Sequence, residues 1–408
     1  MKYIKLNKYF PLFFQSLGRI SSQVLGLLMG VVIVRFSGIE ILGLYAKFNA
    51  IINLIFGVLA SGVYTNYLRS NKIELLGQTI SGLSWIFLIS LIIIIPINNQ
   101  ILKEDFLNII LVIISAYFMQ LSEIYILTTR FLGIDKYSIL PRSIPYILII
   151  ILCLIFEPKN ISTFLLFICI SWFTITYFIF KMRHEIKWNK IKLKTVISSS
   201  IILSMTSLAT QVFANFDQLM IGKLLNNNIL GSYKIGVSFS VLAMPIIGVF
   251  SFMYISDLKK FIEIDNINIL KIKFYNQLKI NFIVSFTCFI FFFLFLKKII
   301  LFIYGIEDAN AGNIGIVLSL GVIFNVLSMV FSYSLLAINK DKLIFITLSF
   351  GAGLNIILNY IFIVKYGAIG AALTSVLTQL FVLLVLSYIF FIKVNFFKHI
   401  KMNIISSN

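Results

Sequence analysis

The sequence predicts an all-α polytopic membrane protein with about twelve transmembrane helices. The chain of 408 residues is 60% hydrophobic and 12% charged, whereas soluble domains are about 45 to 50% apolar and about 25% charged. Its mean hydropathy is +1.01, so most of the chain must face lipid. Apolar runs of about 20 residues recur along the chain, and each is long enough to cross about 30 Å of hydrocarbon.

Twelve apolar segments follow one another when the chain is divided at its charged and turn-forming clusters. In order, they cover about residues 12–34, 41–68, 77–97, 106–129, 138–156, 161–180, 196–222, 230–256, 278–303, 312–338, 342–364 and 368–392. The connections are short, apart from two basic loops at 181–194 and 257–279. Because the first loop lies midway, we predict an N-terminal six-helix bundle over 1–187 and a C-terminal six-helix bundle over 188–408.

The positive charge predicts a membrane topology and no nucleic-acid partner. The formal net charge is +19, but the basic residues lie in short clusters between apolar runs. Positive residues resist translocation across a membrane. With the N-terminus inside, most Lys and Arg residues fall on the inner side, so both termini are expected to be cytoplasmic.

A short phrase occurs twice, as ILGLY at residues 41–45 and as ILGSY at 229–233. Its spacing is close to half the chain length, which is typical of an internal duplication. With six helices in each half, the two repeats have the same orientation, and the substrate is expected to pass between the two bundles. Chance similarity of two stretches rich in Ile, Leu and Gly is the alternative.

The first apolar segment carries a polar stripe. Gln15, Arg19 and Gln23 recur at i, i+4 and i+8, so they share a face that must point away from lipid. The planar guanidinium of Arg19 suits phosphate oxygens, and we predict that Arg19 and Gln23 line a substrate cleft. A hydrogen bond between helices, or a side chain that reaches the cytoplasmic interface, is the alternative.

Two lysines occupy near-equivalent places in the repeat, each about one turn inside the predicted outer surface. They are Lys47 and Lys234, and Lys234 is the stronger candidate because Pro245 predicts a kink that frees backbone carbonyls. Asn49 and Asn53, four residues apart, give the helix of Lys47 a polar face. We predict that Lys47, Asn49 and Lys234 bind substrate. Extension of both lysines to the interface is the alternative.

The segment at 196–222 is the least lipid-like of the chain. Its polar residues include Gln211 and Asn215, which we predict to line the cleft, and Asp217, a candidate for ion coupling. Glu123 is the second coupling candidate, because a carboxyl group taken out of water can carry a proton through a transport cycle. A structural pair with a basic residue on a neighbouring helix is the alternative for Glu123.

No sequence motif indicates enzymatic or metal chemistry. A GxxxxGK[ST] phosphate loop is absent, so no ATPase drives this chain directly. His184 and His399 lie in or near predicted cytoplasmic segments, and all three cysteines lie in apolar runs, where thiols behave as small hydrophobic groups. We therefore predict no catalytic residue, no metal site and no cofactor. The short outer loops also argue against a membrane-bound polymerase or ligase.

Three stretches carry a resemblance to a known family. They are GRISSQVLGLLMGVVIVRFSGIEILGLYAKFNAIINL near the N-terminus, NFDQLMIGKLLNNNILGSYKIG in mid-chain and NIILNYIFIVKYGAIGAALTSVLTQ at 355–379. The sequence resembles the Wzx-type O-antigen and polysaccharide flippases of the multidrug/oligosaccharidyl-lipid/polysaccharide (MOP) exporter superfamily. The resemblance spans nearly the whole chain, and the third stretch is its most specific part.

This resemblance implies two six-helix bundles arranged as a V around a central cleft that opens alternately to either side. The implied cargo is an undecaprenyl-pyrophosphate-linked oligosaccharide, an O-antigen or capsule-type repeat unit, which crosses to the outer leaflet of the bacterial inner membrane. Relatives bind the pyrophosphate with cationic groups, a role that Arg19, Lys47 and Lys234 would fill, and couple transport to ion gradients, a role for Asp217 or Glu123. A polysaccharide polymerase or ligase is the implied protein partner.

A MATE-like antiporter of drugs or other small molecules is the alternative function within the same superfamily. Such a transporter would favour an acidic, aromatic-lined cavity for cationic drugs. The predicted charge inside the membrane leans cationic here, which favours the flippase.

Overall fold

The computed structural model describes the backbone of residues 2–70, 73–97, 105–132, 139–181, 193–244, 247–248, 251, 254, 258, 267–305 and 308–397. Every element in these ranges is a helix, and seven of the described helices are long and apolar enough to cross a membrane. The predicted fold class, an all-α polytopic membrane protein, is confirmed. Gln15, His184, Pro245 and His399 lie outside the residues whose side chains are described.

The helices follow one another with short connections. The first part of the chain holds α1 (Lys2–Ser37), α2 (Ile39–Ile52), a π-helical turn (Asn53–Gly57), α3 (Val58–Ser70), α4 (Leu76–Ile97), α5 (Phe106–Phe131), α6 (Leu140–Phe156), α7 (Ile161–Phe173), α8 (Ile175–Lys181) and α9 (Leu193–Leu224). The second part holds α10 (Asn227–Ser240), a 3₁₀ turn (Val241–Ala243), α11 (Ile267–Tyr304), α12 (Ala309–Ala337), α13 (Asp341–Tyr388) and a second π-helical turn (Ile389–Lys393).

Most predicted segments coincide with these helices. The predicted segment 106–129 is α5, and 41–68 is built from α2, the π-helical turn and α3. The predicted pair 342–364 and 368–392 lies in α13, which bends sharply at Gly367.

The bend in α13 depends on two glycines. Gly367 has φ 64° and ψ −146°, a backbone conformation that residues with a Cβ rarely adopt. A Cβ added at Gly370 would overlap the carbonyl oxygen of Phe362. The small residues after the bend therefore let its second arm lie close to its first.

Contacts between Cα atoms divide the chain into two compact units, Met1–Gly231 and Ser232–Asn408. The predicted bundles meet earlier, between 187 and 188. The difference arises because α9 packs along α2 and α3. Contacts and helix count divide a chain by different criteria, so the division into bundles of six helices stays a prediction, as does the V-shaped cleft.

The unit Met1–Gly231 is held together by apolar packing with a few polar contacts. Helix α1 packs along α6, where the hydroxyls of Ser21 and Ser143 lie 2.9 Å apart. Helix α5 packs on α4 and α7. Side chains such as Phe56, Leu83 and Ile124 are almost fully buried in the core next to α5.

The unit Ser232–Asn408 has polar bonds inside an apolar environment. Asn281 on α11 donates a hydrogen bond of 2.8 Å to the carbonyl oxygen of Val326 on α12. On α13, Asn359 donates to Asn355 at 2.9 Å, and Asn355 donates to Thr378 across the bend at 3.2 Å. Hydrogen bonds of this kind between membrane helices contribute about 0.6 kcal/mol each on average.

Candidate functional site

A row of side-chain amides joins the π-helical turn to α9. The Asn53 amide nitrogen donates to the side-chain oxygen of Asn215 at 3.2 Å. The Asn215 amide nitrogen in turn lies 2.8 Å from the side-chain oxygen of Gln211 and 3.1 Å from its backbone carbonyl. Asn215 is buried. The structure thus brings together Gln211 and Asn215 from one predicted segment with the polar face predicted around Asn49 and Asn53.

The helix widens at Asn53, where the row of side-chain amides begins. Residues Asn53–Gly57 form a single π-helical turn between α2 and α3, and such turns occur frequently at functional sites. A Cβ added at Gly57 would lie 3.9 Å from the Gln211 amide nitrogen. The end of the turn therefore lies close to α9.

Lys47 lies along the same helix pair. Its side chain is half-buried, and its Cδ lies 3.6 Å from the position that a Cβ would take at Gly222 on α9. The aliphatic part of Lys47 therefore packs on the last turn of α9.

Asp217 is 5% exposed on α9. Its carboxylate accepts a hydrogen bond of 2.7 Å from the backbone N–H of the next residue, Gln218. A buried carboxylate on a membrane helix requires compensating contacts and is frequently functional. The role of Asp217 in ion coupling stays a prediction.

The predicted stripe on α1 is separate from the amide row. Arg19 is exposed, and its side chain makes no hydrogen bond or ion pair with any residue that the structure describes. Gln23 is half-buried, and its side-chain oxygen is enclosed without a partner among those residues. Because α1 packs on α6 and α2, Arg19 and Gln23 are not brought into contact with Gln211 or Asn215.

Glu123 forms an ion pair inside the same unit. Its two carboxylate oxygens accept hydrogen bonds of 3.2 and 2.8 Å from the Arg142 guanidinium on α6. The structural pair with a basic residue on a neighbouring helix, left open by the sequence, is thus present. A role for Glu123 in coupling stays a prediction.

Arg142 was not among the residues predicted to form the site. It follows Pro141 at the start of α6, inside the predicted segment 138–156. The structure buries its side chain, which is 8% exposed. Burial of a positive charge in an apolar helix requires an acidic partner, so a search for a partner of Glu123 among helix-terminal residues would have found it.

Lys234 belongs to the unit Ser232–Asn408 and is half-buried on α10. Its backbone carbonyl accepts a hydrogen bond of 2.8 Å from the hydroxyl of Ser238, one turn later. The kink predicted at Pro245 lies outside the described residues. Lys234 therefore stays a candidate on the evidence of its sequence position.

The two copies of the repeated phrase are in contact through their glycines. A Cβ added at Gly43 on α2 would overlap the backbone of Asn227, and one added at Gly231 would overlap the carbonyl oxygen of Ile39. The first residues of α2 and α10 therefore approach each other at backbone distance. The sequence predicted equivalent places for the two phrases but did not predict that they touch.

A cavity opens between α2, α5 and α7. Counted with the space at its mouth, it holds about 510 Å³. Asn49, Asn53 and Gln120 contribute side-chain amides to its lining, and Tyr45 and Trp172 contribute aromatic rings. Asn49 was predicted from the sequence, whereas Gln120, Tyr45 and Trp172 come together only through the packing of three helices.

Comparisons with solved structures find related folds over nearly the whole chain. The lipid II flippase MurJ in an inward closed conformation is 23% identical, with a TM-score of 0.69 over 96% of this chain and 90% of the flippase. The MATE multidrug transporter DinF-BH, in complex with a ligand, is 14% identical, with a TM-score of 0.71 over 96% of each chain. A MOP superfamily transporter from Pyrococcus furiosus, described as having a binding pocket of reversed polarity, is 13% identical, with a TM-score of 0.63 over 95% of this chain and 96% of its own.

No family model matches the sequence, and neither does any curated protein. The similarity to the three solved structures lies below 25% identity in each case, so it establishes a fold and not a substrate. Over nearly its full length, the chain has the all-helical fold found in this lipid II flippase and in these multidrug and MOP superfamily transporters.

Proposed function

We propose that the protein is a flippase for undecaprenyl-pyrophosphate-linked oligosaccharides in the bacterial inner membrane. It moves an O-antigen or capsule-type repeat unit from the cytoplasmic to the outer leaflet by alternating access. The observation that carries this proposal is the match to a lipid II flippase over 96% of the chain, together with an exposed arginine in a membrane-spanning stretch. Both termini are cytoplasmic in this proposal, as the distribution of basic residues predicts.

The cationic residues supply the pyrophosphate-binding groups. Arg19 is exposed within the span Leu17–Ser37, where a charged side chain costs about 2.5 to 3.5 kcal/mol on insertion scales. A guanidinium retained at that cost needs a compensating partner, and no described residue provides one. A pyrophosphate supplies it, because planar guanidinium groups bind phosphate oxygens in pairs. Lys47 and Lys234 are the supporting candidates.

The repeated phrase lies near the outer surface in the proposed orientation. There the first residues of α2 and α10 approach each other at Gly43 and Gly231. Asp217 and Glu123 are the proposed coupling groups. One elementary charge that crosses 100 mV releases about 2.3 kcal/mol, which is enough to bias an alternating-access cycle.

A small-molecule antiporter is the second candidate, favoured by the TM-score of 0.71 to DinF-BH. A gene deletion in the host distinguishes the two functions. The flippase predicts loss of surface polysaccharide and complete repeat units trapped on the inner-leaflet carrier, both restored by the wild-type gene. Normal polysaccharide without accumulation, in a host without a second flippase, together with reduced efflux of a cationic dye such as ethidium, would instead support the antiporter.

A further inference from the structure

The cavity between α2, α5 and α7 offers hydrogen-bonding groups that the protein itself does not use. Asn49 and Gln120 line it, both are half-buried, and within the described residues neither side-chain amide makes a hydrogen bond. Both amides are accessible from the cavity, so a ligand that enters it can form hydrogen bonds with them. Two such amides, on α2 and α5, favour a polar ligand.

The lining also limits the charge of that ligand. None of the described residues that line the cavity is charged. Transfer of a phosphate or an ammonium group into an uncharged, largely apolar cavity carries a large desolvation penalty. The pyrophosphate and cationic drugs are thus poor occupants, and a neutral molecule with several hydroxyl or amide groups is favoured.

Tyr45 and Trp172 contribute aromatic rings to the lining of the cavity. Both rings line the cavity beside apolar side chains, and Trp172 is 6% exposed. A sugar ring combines an apolar C–H face, which packs on such rings, with hydroxyls at its edge, which bond to amides.

We infer that this cavity binds one uncharged sugar ring of the lipid-linked glycan, with Asn49 and Gln120 as its hydrogen-bonding groups. This inference rests on the proposed flippase function and assigns the glycan to a place apart from the charges that hold the pyrophosphate. Asn53 also lines the cavity, but its amide nitrogen donates to Asn215 on α9.

The test compares three lipid probes with the purified full-length protein in nanodiscs. The probes are undecaprenyl pyrophosphate, the same lipid bearing N-acetylglucosamine, and the same lipid bearing galactose, and the readout is the ratio of the Kd of the bare lipid to that of each glycosylated lipid. We expect a ratio above about tenfold for at least one sugar. Asn49→Ala and Gln120→Ala each reduce that ratio about fivefold, the effect expected for one neutral hydrogen bond.

A third cavity variant tests the available space and not the hydrogen bonds. Ala116 lines the cavity and is 7% exposed, so Ala116→Leu fills it and is expected to reduce the ratio toward one. Asn276→Ala is the matched control, because Asn276 is exposed on α11 outside the cavity lining, and it keeps the wild-type ratio. Binding of the bare lipid by each variant reports that it is folded.

The outcomes separate the two proposals. Wild-type ratios near one for both sugars, or unchanged ratios in all three cavity variants, overturn the sugar site while binding of the bare lipid still supports a flippase. Failure of the wild-type protein to bind any of the three lipids overturns the flippase, and the sugar site with it.

Discussion

Removal of Glu123 is expected to destabilise the protein more than removal of its partner Arg142. Breaking a buried ion pair by changing one partner destabilises a protein by about 3 to 5 kcal/mol, because the other charge is left uncompensated. The Arg142 side chain is 8% exposed and that of Glu123 is 31% exposed. The charge that remains after Glu123→Gln is therefore the more buried one.

The difference in burial between Arg142 and Glu123 sets the expected loss of unfolding free energy for each variant. Glu123→Gln keeps one oxygen that can accept from the guanidinium, so its effect lies at the lower end of the range, about 3 kcal/mol. Arg142→Met leaves the less buried charge of the pair, and we expect about 1 to 2 kcal/mol. The double variant loses both charges together, so the coupling energy of the double-mutant cycle should be about 2 kcal/mol or more.

Reversible unfolding with SDS in mixed micelles measures these free energies. Glu40→Gln is the control, because Glu40 is exposed on α2 and its change should stay within about 0.5 kcal/mol. A coupling energy below about 0.5 kcal/mol would show that the ion pair does not hold α5 to α6. A larger effect for Arg142→Met than for Glu123→Gln would refute the argument from burial.

Three further sets of substitutions test the site and the glycine contact. Arg19→Ala should slow glycan export at least about tenfold, since a hydrogen bond to a charged group contributes about 1.5 to 3 kcal/mol, while Arg19→Lys keeps part of the rate in a complementation assay at equal protein abundance. Asp217→Asn should slow transport into vesicles and flatten its dependence on external pH. Gly43→Ala and Gly231→Ala should each reduce the free energy of unfolding by about 1 to 3 kcal/mol through overpacking, whereas Gly353→Ala, with open space at its Cβ, should not.

Each of these predictions has an outcome that contradicts it. Wild-type export by both Arg19 variants would remove the pyrophosphate role of that residue. An unchanged pH profile for Asp217→Asn would exclude proton coupling through its carboxylate. Equal unfolding free energies for the wild type and both glycine variants would mean that the ends of α2 and α10 separate without loss of stability.

The helices could be predicted from the sequence because lipid imposes one rule on all of them. Every backbone polar group in the hydrocarbon must be bonded internally, so apolar length alone located α5 and α12 to within a few residues. Polar spacing drew attention to Asn53, Gln211 and Asn215, which hydrogen bonds join in the structure. That Gln211 and Asn215 line a substrate cleft stays a prediction. Local periodicity could not reveal the partner of Glu123, because Arg142 lies on another helix.

The cavity could not be predicted from the sequence. Gln120, Tyr45 and Trp172 are far apart in the chain, and each is an ordinary residue in its own helix. Their meeting depends on how α2, α5 and α7 cross, which is set by the shapes of many apolar side chains. A site of this kind leaves no motif in a single sequence.

The winding of the two helices gives a physical reason why the predicted duplication would leave so short a repeated phrase. Gly43 and Gly231 are 188 positions apart, and the same offset relates Asn53 to Val241. At that shared point the first copy loosens into the π-helical turn Asn53–Gly57, while the second tightens into the 3₁₀ turn Val241–Ala243. One winding takes more residues per turn and the other fewer, so equal offsets no longer place side chains at equal angles. Under the predicted duplication, selection on the two copies acts on different positions beyond this point, so only the phrase before it stays alike.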